Sequence, residues 1–340
     1  MPDTRRVSWI RLSTSTHPPI HTAVVRGSAE FDVDALQAEL AALADQGVAE
    51  PAVTLEYLQF YGLLFPHINH QHQMRVIEAH EQRLVIQVFE PAVTCGHVML
   101  CHGYYDHVGL FASVIEYLML KQLTVITFDQ IGHGLSSGER VVIDTFDHYV
   151  AAQQAVTRYA LANLSPTPAQ PLHWVGQSMG GAIVMEYLEH NPDISLGNII
   201  LLAPLVRPYA WGWNRWVFAL AKLTITSRPR VLTENAENPE FLELQAIDPL
   251  QARILPVAWV QAMVNWFKRF EDYPESTLAP VIVQGDQDRT VDAHYNLKVF
   301  SKRYPHSHQW IITGGRHHLA NESEYLRGQM WRYLDAQCDW

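Results

Sequence analysis

Basic residues are scarce in this chain. Across 340 residues, 24 Lys and Arg face 35 Asp and Glu, a net charge of −11. That balance argues against nucleic acid or an anionic membrane surface as the main partner. Cysteine is scarcer still, with three copies. Cys95 and Cys101 fall on what reads as one strand, whose rise holds their Cα atoms roughly 20 Å apart, beyond disulfide reach. A disulfide framework is therefore not expected, and a reducing, cytoplasmic compartment is. No run approaches the ~20 apolar residues that span a bilayer. The stretch from Asn198 to Val206 is too short and reads as a buried strand. An apolar secretory core is missing near the start, where Arg5, Arg6 and Arg11 among Ser8, Ser13 and Thr14 give a faint transit-peptide pattern. Repeats and low-complexity tracts are absent too.

What remains is a chain with 48% hydrophobic and 17% charged residues, the composition of a soluble globular protein with room for one core domain and a subdomain. Residues 1–72 read as an N-terminal extension whose one clear element is a helix over Asp34–Ala44. From Met74 the pattern turns strand-like, with a hairpin over Arg75–Ala79 and Arg83–Phe89. Strands then alternate with helices: strand His97–Cys101, helix Gly109–Lys121, strand Leu123–Phe128, helix Asp147–Leu161, strand Leu172–Val175, helix Gly181–His190 and strand Gly197–Ala203. The alternation resumes with strand Pro280–Gln284, helix Val291–Phe300, strand Gln309–Ile312 and helix Glu322–Ala336. Such alternation predicts an α/β fold, a mostly parallel sheet with helices on both faces. Residues 73–208 and 278–340 form that core. Residues 209–277, rich in aromatics and helix formers and without a convincing buried strand, read as an inserted helical cap. Within the cap, Trp259, Met263, Trp266, Phe267 and Phe270 recur at the spacing of one helical stripe, a packing face. Trp211, Trp213 and Trp216 are too many indoles to bury cheaply; packing is the preferred reading, with a greasy tunnel mouth or a lipid interface as the other.

The chemistry concentrates around Gly176-Gln177-Ser178-Met179-Gly180. A serine between glycines, where a strand turns sharply into a helix, is a nucleophile elbow, too crowded for side chains at Gly176 and Gly180. Ser178 is the candidate nucleophile. It needs a base and an acid that follow in the order carboxylate then histidine, each past the end of a strand. The loop Gly285–Asp292 offers Asp288, with Asp286 as runner-up and Asp292 better placed to cap the next helix. The loop Thr313–Leu319 offers His317, with His318 as runner-up. The oxyanion needs two backbone N–H donors: Met179 supplies one, and Tyr104, after Gly103 in the loop Cys101–His107, the other. His102 and Asp106 read as loop-fixing partners of that turn, and His133 as structural. His67, His70, His72 and His80 do not have metal-ligand spacing, so neither metal nor cofactor is expected.

The segments His102-Gly103 with Asp106-His107, Phe128–Arg140, Gly176–Gly181, Gly285–Arg289 and Gly314–His317 with Asn321-Glu322 resemble the α/β-hydrolases of the monoacylglycerol lipase and lysophospholipase group, also classed with serine aminopeptidase-like hydrolases. The span Gly132–Arg140 is the most group-specific of these. The resemblance covers roughly residues 74 to 208 and 278 to 340 and extends neither to the first 72 residues nor to the cap. Carried over position by position, it implies Ser178, Asp288 and His317 as the triad, with Tyr104 and Met179 as the oxyanion hole. Tyr104-Tyr105 is bulkier than the small residues usual there, and Asp106 replaces a usual Glu, so an acyl pocket of different shape is expected. The implied activity is hydrolysis of a lipid-like carboxylic ester, a monoacylglycerol or lysophospholipid, through an acyl-enzyme, with transient membrane or micelle contact through the cap. Hydrolysis of small esters or amides, or a non-catalytic ligand-binding role, are the competing readings. Head group, acyl length and oligomeric state are not legible.

Overall fold

The structure, a computed structural model, describes residues 31–46, 54–164, 171–231 and 233–340. The Arg- and Ser-bearing segment near the N-terminus lies outside them. In chain order come α1 (Val33–Gln46), α2 (Thr54–Tyr61), β1 (His70–Ala79), β2 (Gln82–Pro91), β3 (Gly96–Cys101), α3 (Ala112–Leu120), β4 (Leu123–Phe128) and α4 (Phe146–Asn163). Then follow β5 (Leu172–Gln177), α5 (Met179–Glu189), β6 (Leu196–Leu202), α6 (Trp211–Ala221), β7 (Ser227–Pro229), α7 (Pro239–Ile247), β8 (Ile254–Pro256) and α8 (Val257–Asp272). The chain closes with β9 (Val281–Gly285), α9 (Ala293–Arg303), β10 (His308–Ile312) and α10 (Glu324–Gln337).

Eight strands make one sheet in the order β1-β2-β4-β3-β5-β6-β9-β10. β2 runs antiparallel to both of its neighbours, while the pairings from β4 through β10 are parallel. This is the expected α/β-hydrolase architecture. The reason lies in the central strands: every residue of β3, β4, β5 and β9 is buried, as continuous apolar runs covered on both faces require. One apolar cluster gathers under α1, α2, α3 and α10, and a second under α4, α5 and α8.

Three expectations need correction. β1 starts at His70, four residues before Met74, because only Met74 and Ala79 of this edge strand are buried and its polar residues hide the period of two. The insertion is not purely helical: β7 and β8 pair antiparallel over three residues each, with Pro256 alone of the six buried, too short and too exposed to leave a pattern. Cys95 sits just before β3 rather than on it. The helices of residues 31–61 join the main core, with Phe31, Leu36, Leu40, Tyr57 and Tyr61 buried.

β6 pairs directly with β9, so the chain leaves the sheet after Leu202, at the C-terminal end of β6, and returns at Val281. Ligand sites of open parallel sheets lie at that edge.

Candidate active site

Ser178 follows β5 directly, at φ 52° and ψ −117°. A non-glycine residue keeps such a conformation only when its surroundings enforce it. Its N–H donates to Leu202 O at 2.9 Å and its carbonyl accepts from Leu205 N at 3.0 Å, tying the turn to β6. Side chains have no space beside it: a Cβ on Gly176 would lie 2.6 Å from Gly181 N, and one on Gly180 would lie 2.2 Å from Cys101 O. The next ten residues, Met179–Leu188, are all buried, so α5 is fixed as a core helix behind the serine.

Asp288 and His317 arrive from the ends of β9 and β10. His317 Nε2 lies 2.9 Å from Ser178 Oγ, and His317 Nδ1 lies 2.8 Å from Asp288 Oδ2. Asp288 Oδ1 accepts from Thr290 N at 2.7 Å and Val291 N at 3.0 Å, and Oδ2 also accepts from Gln284 Nε2 at 2.9 Å. A carboxylate so supplied with donors stays ionised: burial alone would raise its pKa, but His317 and these hydrogen bonds hold it below the usual value. The proton between the pair therefore belongs on Nδ1, leaving Nε2 free to accept from the serine. Burial works against the charged imidazole, yet Asp288 outweighs it and raises the His317 pKa above the ordinary 6.5.

The runners-up take other work. Asp286 is exposed and accepts from Gly314 N at 2.9 Å, bracing the histidine loop. Asp292 caps α9 and pairs with Arg207 at 2.8 Å. His318 is buried with Nε2 3.2 Å from Asp106 Oδ1. Burial opposes ionisation of Asp106, but His318, His102 and Arg230 prevail and bring its pKa down to about 2.

The loop carrying Tyr104 abuts the nucleophile. A Cβ on Gly103 would lie 2.7 Å from Asp106 Oδ2 and 3.3 Å from Ser178 Cβ. His102 fixes the turn: its Nε2 accepts from Gln130 N at 2.9 Å, so the ring proton sits on Nδ1 and faces Gly103 O at 2.8 Å. Met179 opens α5, where first-turn N–H groups have no intrahelical acceptor. Tyr104's ring stacks on Trp259 at 3.6 Å and its hydroxyl donates to Val141 O at 2.8 Å, so its bulk is spent on the cavity wall. His133 Nδ1 lies 2.9 Å from Ile131 O, within the turn it was expected to support.

Several residues support the site without a role legible in the sequence, although Gln177, Glu322 and His107 stand within the segments singled out above. Gln177 Oε1 accepts from Ala320 N at 3.1 Å, and Glu322 accepts from Arg316 N at 2.6 Å and Glu237 N at 2.7 Å, both holding the His317 loop. Asp248, in the insertion, accepts from Tyr61 Oη at 2.7 Å and pairs with His107 Nε2 at 2.8 Å, all three buried. Asp248 raises the His107 pKa against the lowering effect of burial. Neither Asp248 nor Tyr61 stands in a motif. The four N-terminal histidines are engaged separately, His67 with Glu116, His70 with Ile68 O and His72 with Gln87, while the ring of His80 packs near His148. Among the described residues no group of His, Cys, Asp and Glu is arranged to hold a metal.

Above Ser178 opens a cavity of about 410 Å³. Its wall includes Leu205, Phe218, Leu255, Trp259, Val260 and Met263, with Ser178, His317 and Asp106 on the polar side. The stripe on α8 is a packing face as expected, and Trp259 and Met263 also face the cavity. The packing reading of the tryptophan cluster fails for two of three: Trp211 meets Phe267 at 5.5 Å, but Trp213 and Trp216 are 74% and 63% exposed. α6 buries no residue at all, and no helix among the described residues is long and apolar enough to cross a membrane.

Comparison with known proteins points to one family. The profile of the serine aminopeptidase, S33 family matches residues 92–324. Monoacylglycerol lipase of Mycolicibacterium smegmatis is 29% identical over 71% of this chain and 88% of its own, and human monoglyceride lipase 26% identical over 66% and 76%. The solved structure of a soluble variant of Saccharomyces cerevisiae monoglyceride lipase, in complex with a substrate analog, superposes with a TM-score of 0.68 at 16% identity, covering 79% of this chain and 96% of that one. With the profile matched over more than half its length, the chain belongs to the serine aminopeptidase, S33 family of α/β-hydrolases and is a serine ester hydrolase.

Proposed function

We propose that the protein hydrolyses a single-chain lipid ester through an acyl-enzyme on Ser178. The observation that carries this reading is the unbroken contact from Ser178 Oγ through His317 to Asp288 at the floor of a mostly apolar cavity. Ser178 Oγ forms a bond to the acyl carbon as its proton moves to His317 Nε2; the carbonyl electron pair goes onto oxygen, which Met179 and Tyr104 N–H receive. As the carbonyl re-forms, the bond to the alcohol breaks and His317 returns the proton to it. Water then repeats the sequence with His317 as base, freeing the fatty acid and Ser178.

The relatives named as monoacylglycerol lipases and the apolar wall both favour an acyl chain. Amide cleavage at a free amino terminus has less support: its ammonium needs an acid, and the one carboxylate on the wall among the described residues, Asp106, already faces His318. Residues 209–277 act in this reading as a cap whose helix α6 rests on the lipid aggregate, since Trp213, Trp216, Leu220 and Leu223 are more than half exposed. Three free cysteines fit a cytoplasmic setting. The test is labelling of Ser178 by a fluorophosphonate probe together with turnover of 1-oleoylglycerol. An unlabelled serine in folded protein, or no release of oleate, would overturn the reading.

A further inference from the structure

Charge inside the cavity runs against charge on the chain. The protein carries −11 overall, yet the cavity wall bears three guanidinium groups, Arg228, Arg230 and Arg289, against the single carboxylate of Asp106. Among the described residues none of these arginines has a carboxylate oxygen within 4.0 Å. Arg289 donates to Tyr209 Oη at 2.8 Å. Arg230 is the most constrained. It donates to Gln251 Oε1 and to Ala252 O, and its guanidinium lies 3.9 Å over the ring of Tyr105. Burial pulls its pKa below the ordinary guanidinium value while Asp106 pulls it up. A half-buried cation that is stacked and oriented, with Asp106 acting on it only from beyond ion-pair distance, is arranged to receive an anion. Tyr105 is the next residue after the proposed oxyanion donor, so Arg230, stacked on its ring, lies beside that loop on the wall of the cavity that holds Ser178, and Arg228, two residues earlier on β7, adds a second charge.

We propose that the ester substrate carries a phosphate on its alcohol, making it a lysophospholipid with a net anionic head group that Arg230 and Arg228 bind. This rests on the ester-hydrolase reading above. The neutral glycerol of a monoacylglycerol leaves both cations unanswered.

The full-length protein would be assayed with 1-oleoylglycerol, 1-oleoyl lysophosphatidylcholine and 1-oleoyl lysophosphatidylglycerol, each at one mole fraction in neutral detergent micelles. The anionic ester is expected to exceed the neutral one in kcat/KM by about tenfold or more, through KM, as charge-assisted hydrogen bonds allow. In Arg230→Gln that preference should collapse toward one, with partial loss in Arg228→Gln and partial recovery in Arg230→Lys. If Arg230→Gln fails to fold, the wild-type preference and the exposed Arg228→Gln variant decide. A second arm presents 1-oleoylglycerol in micelles doped with a dialkyl-ether phosphatidylglycerol, which cannot be hydrolysed. Equal kcat/KM for the neutral and anionic esters overturns the proposal and leaves ester hydrolysis standing. A neutral substrate accelerated by the dopant to the anionic rate shows cations reading the surface, and overturns it too. Absence of turnover on all three esters, with Ser178 unlabelled, removes both readings together.

Discussion

Helices α5 and α6 have the same length, 11 residues, and both are rich in apolar side chains, yet one is buried along nearly its whole length and the other buries nothing. The difference is one of place. α5 grows out of the central strand β5 and is covered by α4 on one side and the sheet on the other, whereas α6 begins after the chain has left the sheet. Apolar content alone therefore predicts neither role. Burial around Ser178 holds its contact with His317 and, through it, Asp288, and exposure on α6 leaves an apolar surface uncovered.

The comparison breaks hardest at the serine. Ser178→Ala should cut kcat for 1-oleoylglycerol by about 10⁴-fold or more with the melting temperature retained, and Asp288→Asn by up to about 10⁴-fold, both read by oleate release. An unaltered rate in either would detach the elbow from the chemistry. Next comes Asp248→Ala, which strands the buried imidazole of His107; a loss of about 3–5 kcal/mol is expected in urea unfolding. That pair also sets a pH window. Asp248 has a lowered pKa, so its contribution is present above its unfolded value and fades as pH falls through the folded one; His107, raised, contributes below its unfolded value and fades as pH climbs through the folded one. On the exposed side, Trp213→Ser with Trp216→Ser should lower turnover of micellar substrate by about tenfold, with little change for a dissolved short-chain ester. Equal effects on the two substrates would mean that α6 has no surface role. Smallest is the pH profile: kcat/KM should rise with pH to a midpoint above the ordinary histidine value, since the neutral imidazole is the base and Asp288 raises its pKa. The midpoint in Asp288→Asn should fall.

The sheet was legible because central strands are buried on both faces and read as unbroken apolar runs, and the elbow because only glycine fits beside Ser178. Position in the loop singled out Asp288 over Asp286 and His317 over His318, and the structure brings those two into contact with each other and His317 into contact with Ser178. The start of β1, residues 70–73, escaped because its polar residues include His72, which faces Gln87 at 3.0 Å. The exposure of Trp213 and Trp216 was illegible, since an amphipathic stretch looks the same whether it covers a core or meets lipid. Asp248 was hidden for another reason: its partners lie 141 and 187 residues away, and no local pattern encodes a carboxylate waiting for them.

Asp248 is one of two buried carboxylates that fasten the insertion to the body. Lifting the insertion would part Asp248 from His107 and Tyr61 and would part Glu186 from Trp266 and Arg269 of α8 and from Tyr273 just past it, whereas α6 makes no buried side-chain hydrogen bond of that kind among the described residues. Within the insertion, α6 is therefore the helix whose displacement breaks the fewest buried polar contacts.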